Sequence, residues 1–345
     1  MHAKPGLDTR IEPFSVGERA AVAVTRGGIV ESEHFACFAA CRPDGSLVEC
    51  SGDIERPLFM RSSAKPLISV AVLASGAYDR FGLSDVELAV ATGSHSGEPY
   101  HVEAVRSILR KIGLAEDALQ CGAHAPIHAP SAAALAKTGA EPSAIHNNCS
   151  GKHAGILALA MHLGAGPSGY LSPDHPAELK ILAGCAELLS VSSDGIVLGV
   201  DGCGIPAIAV PLRNAATFFA KLADPALFGP RWEVPVRRVR DAMVAHPEYV
   251  AGTDRFDTTL MRAAAGKIVC KGGAEGYHGS AALDTRVGLC VKIADGNPRA
   301  TPPFVVGELL QLGALNEPLN AKLDAYRVTP IRNHAGTLTG EVRSI

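Results

Sequence analysis

The sequence has few of the features that mark nucleic-acid-binding or membrane proteins. Aromatic residues make up 5% of its 345 residues, and 32 Lys plus Arg face 35 Asp plus Glu, for a net charge of −3. Without a basic surface or stacking platforms, nucleic acid is not an expected partner. No apolar run approaches the roughly 18 residues of a membrane span, and the first residues lack the layout of a signal peptide. We therefore expect a cytoplasmic protein with no membrane partner.

The cysteines show no disulfide framework, and no linker divides the chain. There are nine cysteines, an odd number scattered from Cys37 to Cys290, so we expect reduced thiols. The 47% of hydrophobic and 19% of charged residues are typical of a globular protein. Residues 225–235 form the one plausible boundary, and that segment is short. We expect a single unit over residues 1–345, or two intimate subdomains without a clear linker.

Helical and strand-like segments are mixed along the chain. Apolar spacing and capping signals predict helices at residues 62–76, 84–91, 100–112, 131–137, 151–163, 177–189, 215–222, 236–244 and 304–312. Short apolar runs predict strands within residues 20–52 and at 195–200, 207–212, 267–271 and 287–293. Because the two types do not alternate regularly, the pattern predicts an α+β or α/β sandwich.

Five polar or glycine-rich motifs lie at the ends of these segments: RSSAK at residues 61–65, ATGSHSGE at 91–98, HNNCSGKH at 146–153, VDGCGIP at 200–206 and CKGGAEG at 270–276. In the first motif, helical spacing places Ser62 and Lys65 on one face. A serine hydroxyl needs such an adjacent base to become a nucleophile. A capping serine at a solvated helix start would give the same pattern.

Together and in this order, the five motifs resemble those of the rhizobial-type L-asparaginases, the class 3 or asparaginase II family. The resemblance extends from about residue 20 to about residue 330. It implies a fold similar to the serine β-lactamases and serine-dependent glutaminases. It also implies hydrolysis of L-asparagine to L-aspartate and ammonia, and a homodimer.

The resemblance also implies roles for individual residues. It implies two Ser-Lys pairs, Ser62 with Lys65 and Ser94 with Lys271. It implies a substrate pocket that includes Arg61, His153 and Asp201, of which the arginine and the aspartate suit the α-carboxylate and α-ammonium of the substrate. At Asp201, an ordinary turn is the alternative interpretation. The resemblance also implies a zinc site formed by Cys149, Lys152 and Cys203.

A lysine that acts as a general base must be neutral. Its pKa must fall from about 10.4 toward 7, which partial burial and a second ammonium nearby would both favour. We therefore predict that Lys65 and Lys271 lie close together. The nucleophile that forms an acyl-enzyme is then either Ser62 or Ser94.

Two thiolates suit zinc, but lysine is an unusual ligand. The alternative is two small, semi-buried cysteines that line the pocket. A metal there would organise the pocket or sense redox state rather than activate the attacking water, because the Ser-Lys pairs already provide a nucleophile.

Two other functions fit parts of the sequence. The first is a penicillin-recognising acyl hydrolase or β-lactamase, suggested by S-x-x-K and by the K-T-G triplet at residues 137–139. That triplet follows a predicted helix, and we interpret it as a helix stop. The second is a non-enzymatic protein that binds a small molecule or zinc, which the two separate Ser-Lys candidates disfavour.

Overall fold

A computed structural model of the chain describes residue 17 and residues 20–345. The strands of this part are β1 (Val22–Arg26), β2 (Ile29–His34), β3 (Ala36–Cys41), β4 (Leu47–Ser51), β5 (Pro57–Phe59), β6 (Val197–Val200), β7 (Pro206–Pro211), β8 (Ile268–Gly272), β9 (Tyr277–Ala282), β10 (Val287–Ile293), β11 (Val328–Arg332) and β12 (Leu338–Ser344).

The α-helices of the same part are α1 (Lys65–Ala74), α2 (Ala77–Arg80), α3 (Asp85–Ala91), α4 (Pro99–Lys111), α5 (Ala129–Lys137), α6 (Ser150–His162), α7 (Pro176–Leu189), α8 (Leu212–Lys221), α9 (Pro230–Ala245), α10 (Pro247–Val250), α11 (Phe256–Ala263), α12 (Thr301–Gln311) and α13 (Ala321–Arg327). A short 3₁₀ turn, Arg61–Ala64, leads directly into α1.

The strands form three antiparallel sheets. The central sheet has the order β4-β3-β10-β9-β8, and the others have the orders β11-β12-β1-β2 and β5-β7-β6. Every residue of β3 and β9 is buried, so the central sheet is covered on both faces. The predicted sandwich of helices and sheets is confirmed.

Helices cover the two faces of the central sheet. A Cβ on Gly288 of β10 would lie 2.0 Å from the carbonyl oxygen of Ala216, so the glycine allows α8 to lie directly on the strand. Cys41 is the cross-strand partner of Gly288. Phe38, three residues before Cys41, therefore points to the opposite face, where its ring lies 5.2 Å from that of Phe304 in α12.

Helix α6 lies at the centre of the helical layer, with residues 150–160 all buried. Its first turn approaches the end of α3 closely, because a Cβ on Gly151 would lie 2.3 Å from the carbonyl oxygen of Val90. This contact brings the HNNCSGKH and ATGSHSGE motifs together. The nine helices and the strands predicted from the sequence are all present, with ends shifted by a few residues.

Other features differ from the sequence predictions or settle an interpretation. Residues 225–235 are not a linker, because they form a 3₁₀ turn, Pro225–Phe228, and the start of α9. The K-T-G triplet ends α5, with Gly139 at φ +73°, which confirms the helix stop. The nine cysteines are unpaired, as expected, and Cys50 is the exposed one. In the described part of the chain, no helix has the length and apolar character needed to cross a membrane.

Candidate active site

Lys65 lies at the start of α1 and is buried, with 1% of its surface exposed. Its Nζ donates to the carbonyl oxygen of Gly93, to Ser94 Oγ at 2.8 Å and to the carbonyl oxygen of Asn148 at 3.1 Å. Three acceptors match the three donors of an ammonium. Burial lowers the pKa of Lys65 to about 8, and the charges of Lys152 and Lys271 add to this effect. Lys65 therefore contacts a serine hydroxyl and loses its proton at a lower pH than an ordinary lysine.

The hydrogen-bond partner of Lys65 is Ser94, which differs from the pairing of Ser62 with Lys65 that the resemblance implied. The lysine side chain reaches away from its own helix toward the end of α3, because the acceptors for its ammonium lie there. Ser62, in the preceding 3₁₀ turn, lines the same cavity as Ser94.

Lys271 at the end of β8 is held by an acid that the motifs did not indicate. Its Nζ donates to the carbonyl oxygen of Gly272 at 2.6 Å and lies 3.6 Å from Asp257 Oδ2. Asp257 also accepts from the Gly272 amide at 2.8 Å and faces His278 Nε2 at 3.2 Å. Burial opposes ionisation of Asp257, but Lys271 and His278 hold its pKa well below the usual range. Lys271 is thus paired with Asp257 rather than with Ser94.

A cavity of about 220 Å³ joins these groups. It is lined by both serines, by Asn148 and Lys271, and by Arg255 at the start of α11. Burial lowers the pKa of Lys271, and the charge of Arg255 lowers it further, while Asp257 opposes both effects. The structure therefore brings both candidate serines and two basic side chains to one small cavity, with Lys65 directly behind Ser94.

Close backbone contacts hold the cavity wall in place. A Cβ on Gly93 would lie 2.6 Å from the carbonyl oxygen of Val250, and the Ser94 amide donates to the same oxygen at 2.8 Å. A Cβ on Gly273 would lie 2.6 Å from the carbonyl oxygen of Met60. The glycines of the ATGSHSGE and CKGGAEG motifs thus allow two pairs of distant segments to approach each other, the one at residue 93 with that at 250 and the one at residue 273 with that at 60.

Arg61 and Asp201 are paired with each other. The Nε and Nη2 atoms of Arg61 lie 3.0 and 2.9 Å from Asp201 Oδ1, and the same oxygen accepts from the Gly202 amide at 2.7 Å. Burial raises the pKa of Asp201, but Lys152, the Gly202 amide and Arg61 together lower it below its ordinary value. The two charges that were expected to bind substrate therefore neutralise each other in this structure.

His153 lies in α6 and is fully buried. Its Nδ1 lies 2.7 Å from the hydroxyl of Tyr170, while its Nε2 has no hydrogen-bond partner in the described part of the chain. Burial lowers the pKa of His153 well below its ordinary value, and Lys152 and Lys65 contribute. We therefore expect a neutral imidazole here.

Cys149, Lys152 and Cys203 meet at the first turn of α6. Lys152 Nζ lies 3.0 Å from Cys203 Sγ. The thiol of Cys203 donates to Cys149, so the pKa of Cys149 is well below that of an ordinary thiol, and Lys152 adds to this effect. Two sulfur atoms and one amine nitrogen thus converge. Burial lowers the pKa of Lys152, but the two cysteines raise it above its ordinary value, and the pKa of Cys203 is raised as well. A zinc ion here therefore requires that Lys152 and Cys203 lose their protons. Two soft sulfur donors then fit zinc.

A second group of potential metal ligands lies next to the cavity. Asp257, Cys270 and His278 are buried, and their ligand atoms lie within 4.8 Å of one another. However, the ammonium of Lys271 already faces Asp257. Burial also raises the pKa of Cys270 well above the ordinary value, so its thiol remains protonated. Both features oppose a metal cation at this position.

Arg255 and Asp257 belong to none of the five sequence motifs. They lie in the segment TDRFDTT, residues 253–259, which has the polar composition of an ordinary helix start. Two acids and one arginine within residues 254–257, at the start of α11, were the available signal.

Comparison with known proteins identifies the family. A family model described as L-asparaginase II matches residues 22–344. The chain belongs to this family. This assignment supports an amidohydrolase activity for the chain. No curated protein sequence matches the chain.

Solved structures similar to this member of the family include Mglu and a β-lactamase from Mycobacterium bovis. Mglu is 19% identical, with 80% of this chain and 67% of that chain covered and a TM-score of 0.36. Mglu in its L-glutamate binding form is 17% identical, with 87% and 65% covered and a TM-score of 0.38. The β-lactamase is 16% identical, with 80% and 94% covered and a TM-score of 0.38. At these scores, the likeness carries no functional argument.

Proposed function

We propose that this chain is an L-asparaginase that hydrolyses L-asparagine to L-aspartate and ammonia through a serine acyl-enzyme. The observation that carries the proposal is the 2.8 Å contact between Lys65 Nζ and Ser94 Oγ. The family assignment supports the amide substrate.

Lys65 acts as the general base. In its neutral form, Lys65 takes the proton of Ser94 directly if Ser94 is the nucleophile. If Ser62 is the nucleophile, its proton reaches Lys65 by way of Ser94, because both serines line the same cavity. The serine oxygen bonds to the side-chain amide carbon of the substrate, and the carbon–nitrogen bond breaks. The proton passes from Lys65 to the departing nitrogen, which leaves as ammonia. A water molecule then hydrolyses the ester and releases L-aspartate.

The cavity supports a small substrate. Its volume of about 220 Å³ admits a molecule the size of a free amino acid. Ser63 Oγ, in the 3₁₀ turn, donates to the carbonyl oxygen of Lys271, and the ion pair between Lys271 and Asp257 fixes this wall of the cavity.

We also propose that Cys149, Lys152 and Cys203 hold a zinc ion. A bound zinc would supply a fixed positive charge and would hold the first turn of α6 in place. The residues contribute sulfur atoms from two separate segments and an amine that must lose its proton. Metal analysis of protein purified without added zinc tests this, with Cys203→Ser as the variant. About one zinc per chain in the wild type, lost in the variant, is expected, and metal-free wild type would refute the proposal.

Ammonia release from L-asparagine, measured with a coupled assay, tests the proposed activity. We expect turnover by the wild type, and a loss of at least about 100-fold in Ser62→Ala, Ser94→Ala or Lys65→Met, because each removes a part of the nucleophile system. Mass spectrometry of peptides from quenched reactions identifies the acylated serine. Full activity in both serine variants, each shown to be folded, would refute the mechanism.

The β-lactamase alternative is tested with the same preparations. Lys137, Thr138 and Gly139 are exposed at the end of α5 and do not line the active-site cavity. We therefore expect no hydrolysis of a chromogenic cephalosporin, and turnover of that compound at rates comparable with L-asparagine would favour the alternative.

A further inference from the structure

The basic side chains around the active-site cavity are not equally available to a ligand. Arg61 contacts Asp201 through two nitrogen atoms. Lys271 is held by Asp257 and by the carbonyl oxygen of Gly272. A substrate carboxylate could recruit either cation only by competing with an acid that already neutralises it.

Arg255 differs from both. It lines the cavity together with Ser62 and Ser94, and it is the residue that precedes the first turn of α11. Within residues 20–345, its guanidinium forms no ion pair and no hydrogen bond. A partly buried guanidinium without an acid keeps its full positive charge and five N–H donors beside the cavity that Arg255 lines.

We propose that Arg255 binds the α-carboxylate of the substrate and so places the side-chain amide at the serines; this rests on the proposed function. A guanidinium matches a carboxylate with two parallel hydrogen bonds, which fixes the orientation of the ligand as well as its position. Arg61, in contrast, positions the turn at Asp201. The site then selects amides that carry an α-carboxylate.

The kinetic test compares L-asparagine with 3-aminopropanamide, which has the same amide and amine but lacks the α-carboxylate. In Arg255→Gln, we expect kcat/KM for L-asparagine to fall roughly 10- to 150-fold, mainly through KM, as the loss of a charged hydrogen bond implies. The value for 3-aminopropanamide should change less than about 3-fold, because that compound makes no use of the guanidinium. Arg255→Lys should recover part of the loss.

Two further variants serve as controls. Arg262→Gln removes an exposed arginine of the same helix, which is paired with Glu248. This variant should leave kcat/KM unchanged for both substrates. Arg61→Gln tests the rival carboxylate site. An equal loss on both substrates in Arg255→Gln, or a selective loss in Arg61→Gln instead, would overturn the inference.

A binding measurement separates this inference from the proposed function. Calorimetry compares L-aspartate with β-alanine, which lacks the α-carboxylate, on wild type and Arg255→Gln. We expect the wild type to prefer L-aspartate and the variant to lose that preference. This result would support the carboxylate site even if the wild type released no ammonia, in which case the proposed function alone fails. A wild type without the preference, or a variant that keeps it, overturns the inference.

Discussion

The proton of Lys65 provides the sharpest test of the mechanism. With a pKa of about 8, close to one-tenth of the lysine is neutral at pH 7, whereas at the ordinary value of 10.5 the neutral fraction is about 300-fold smaller. Because the neutral form is the base, kcat/KM for L-asparagine should rise about tenfold per pH unit below pH 7 and level off above pH 8.

The assay is ammonia release at low substrate concentration between pH 5.5 and 9.5, in buffers of constant ionic strength. Lys65→Ala should abolish this activity, and small primary amines added to the variant should restore part of it, with a pH dependence set by the added amine. A profile that is flat from pH 6 to 9, or one that still rises steeply at pH 9.5, would refute the role of Lys65 as a base of lowered pKa.

Three further predictions concern stability, measured by urea unfolding. Gly151→Ala should destabilise the protein by about 1–3 kcal/mol, because its Cβ would lie 2.3 Å from a backbone oxygen of α3. Gly202→Ala is the matched control, because the space around its Cβ is open. An equal loss of stability in both variants would contradict the close contact at Gly151. Asp257→Asn should cost about 3–5 kcal/mol by leaving the buried ammonium of Lys271 unpaired, and a loss below about 1 kcal/mol would show that the pair is not needed. Burial raises the pKa of Glu308 from 4.5 to about 7, so folding favours the protonated acid and the free energy of unfolding decreases as the pH rises from 4.5 to 7. The free energy of unfolding of Glu308→Gln should therefore match that of the wild type at pH 4 and exceed it by at most about 3 kcal/mol at pH 8. A constant difference across this range would refute the pKa shift.

The helices were predictable because their signals are local. Ser84, for example, accepts from the Glu87 amide, while the Glu87 side chain accepts from the Ser84 amide, which is the capping box that the sequence favours. Strand β9 could not be found in this way. Its sequence, YHGSAA, has weak strand propensity, and the strand exists because β8 and β10 pair with it on both sides.

The site could be predicted as a set of motifs but not as a set of contacts. The resemblance indicated Lys65, Ser94 and Lys271, and the structure brings them to one place. Which serine faces Lys65 depends on the approach of α1 to the end of α3, which spacing within a helix cannot reveal. Arg255 and Asp257 belong to no motif in the sequence. The zinc ion, the homodimer and the cytoplasmic location stay predictions.

The residues that line the cavity lie near positions 62, 94, 148, 255 and 271, so no short segment of the chain can form the cavity alone. Catalysis should consequently report on the integrity of the entire molecule. As denaturant is added, turnover should disappear together with the tertiary structure, and a peptide that carries only one or two of the motifs should be inert.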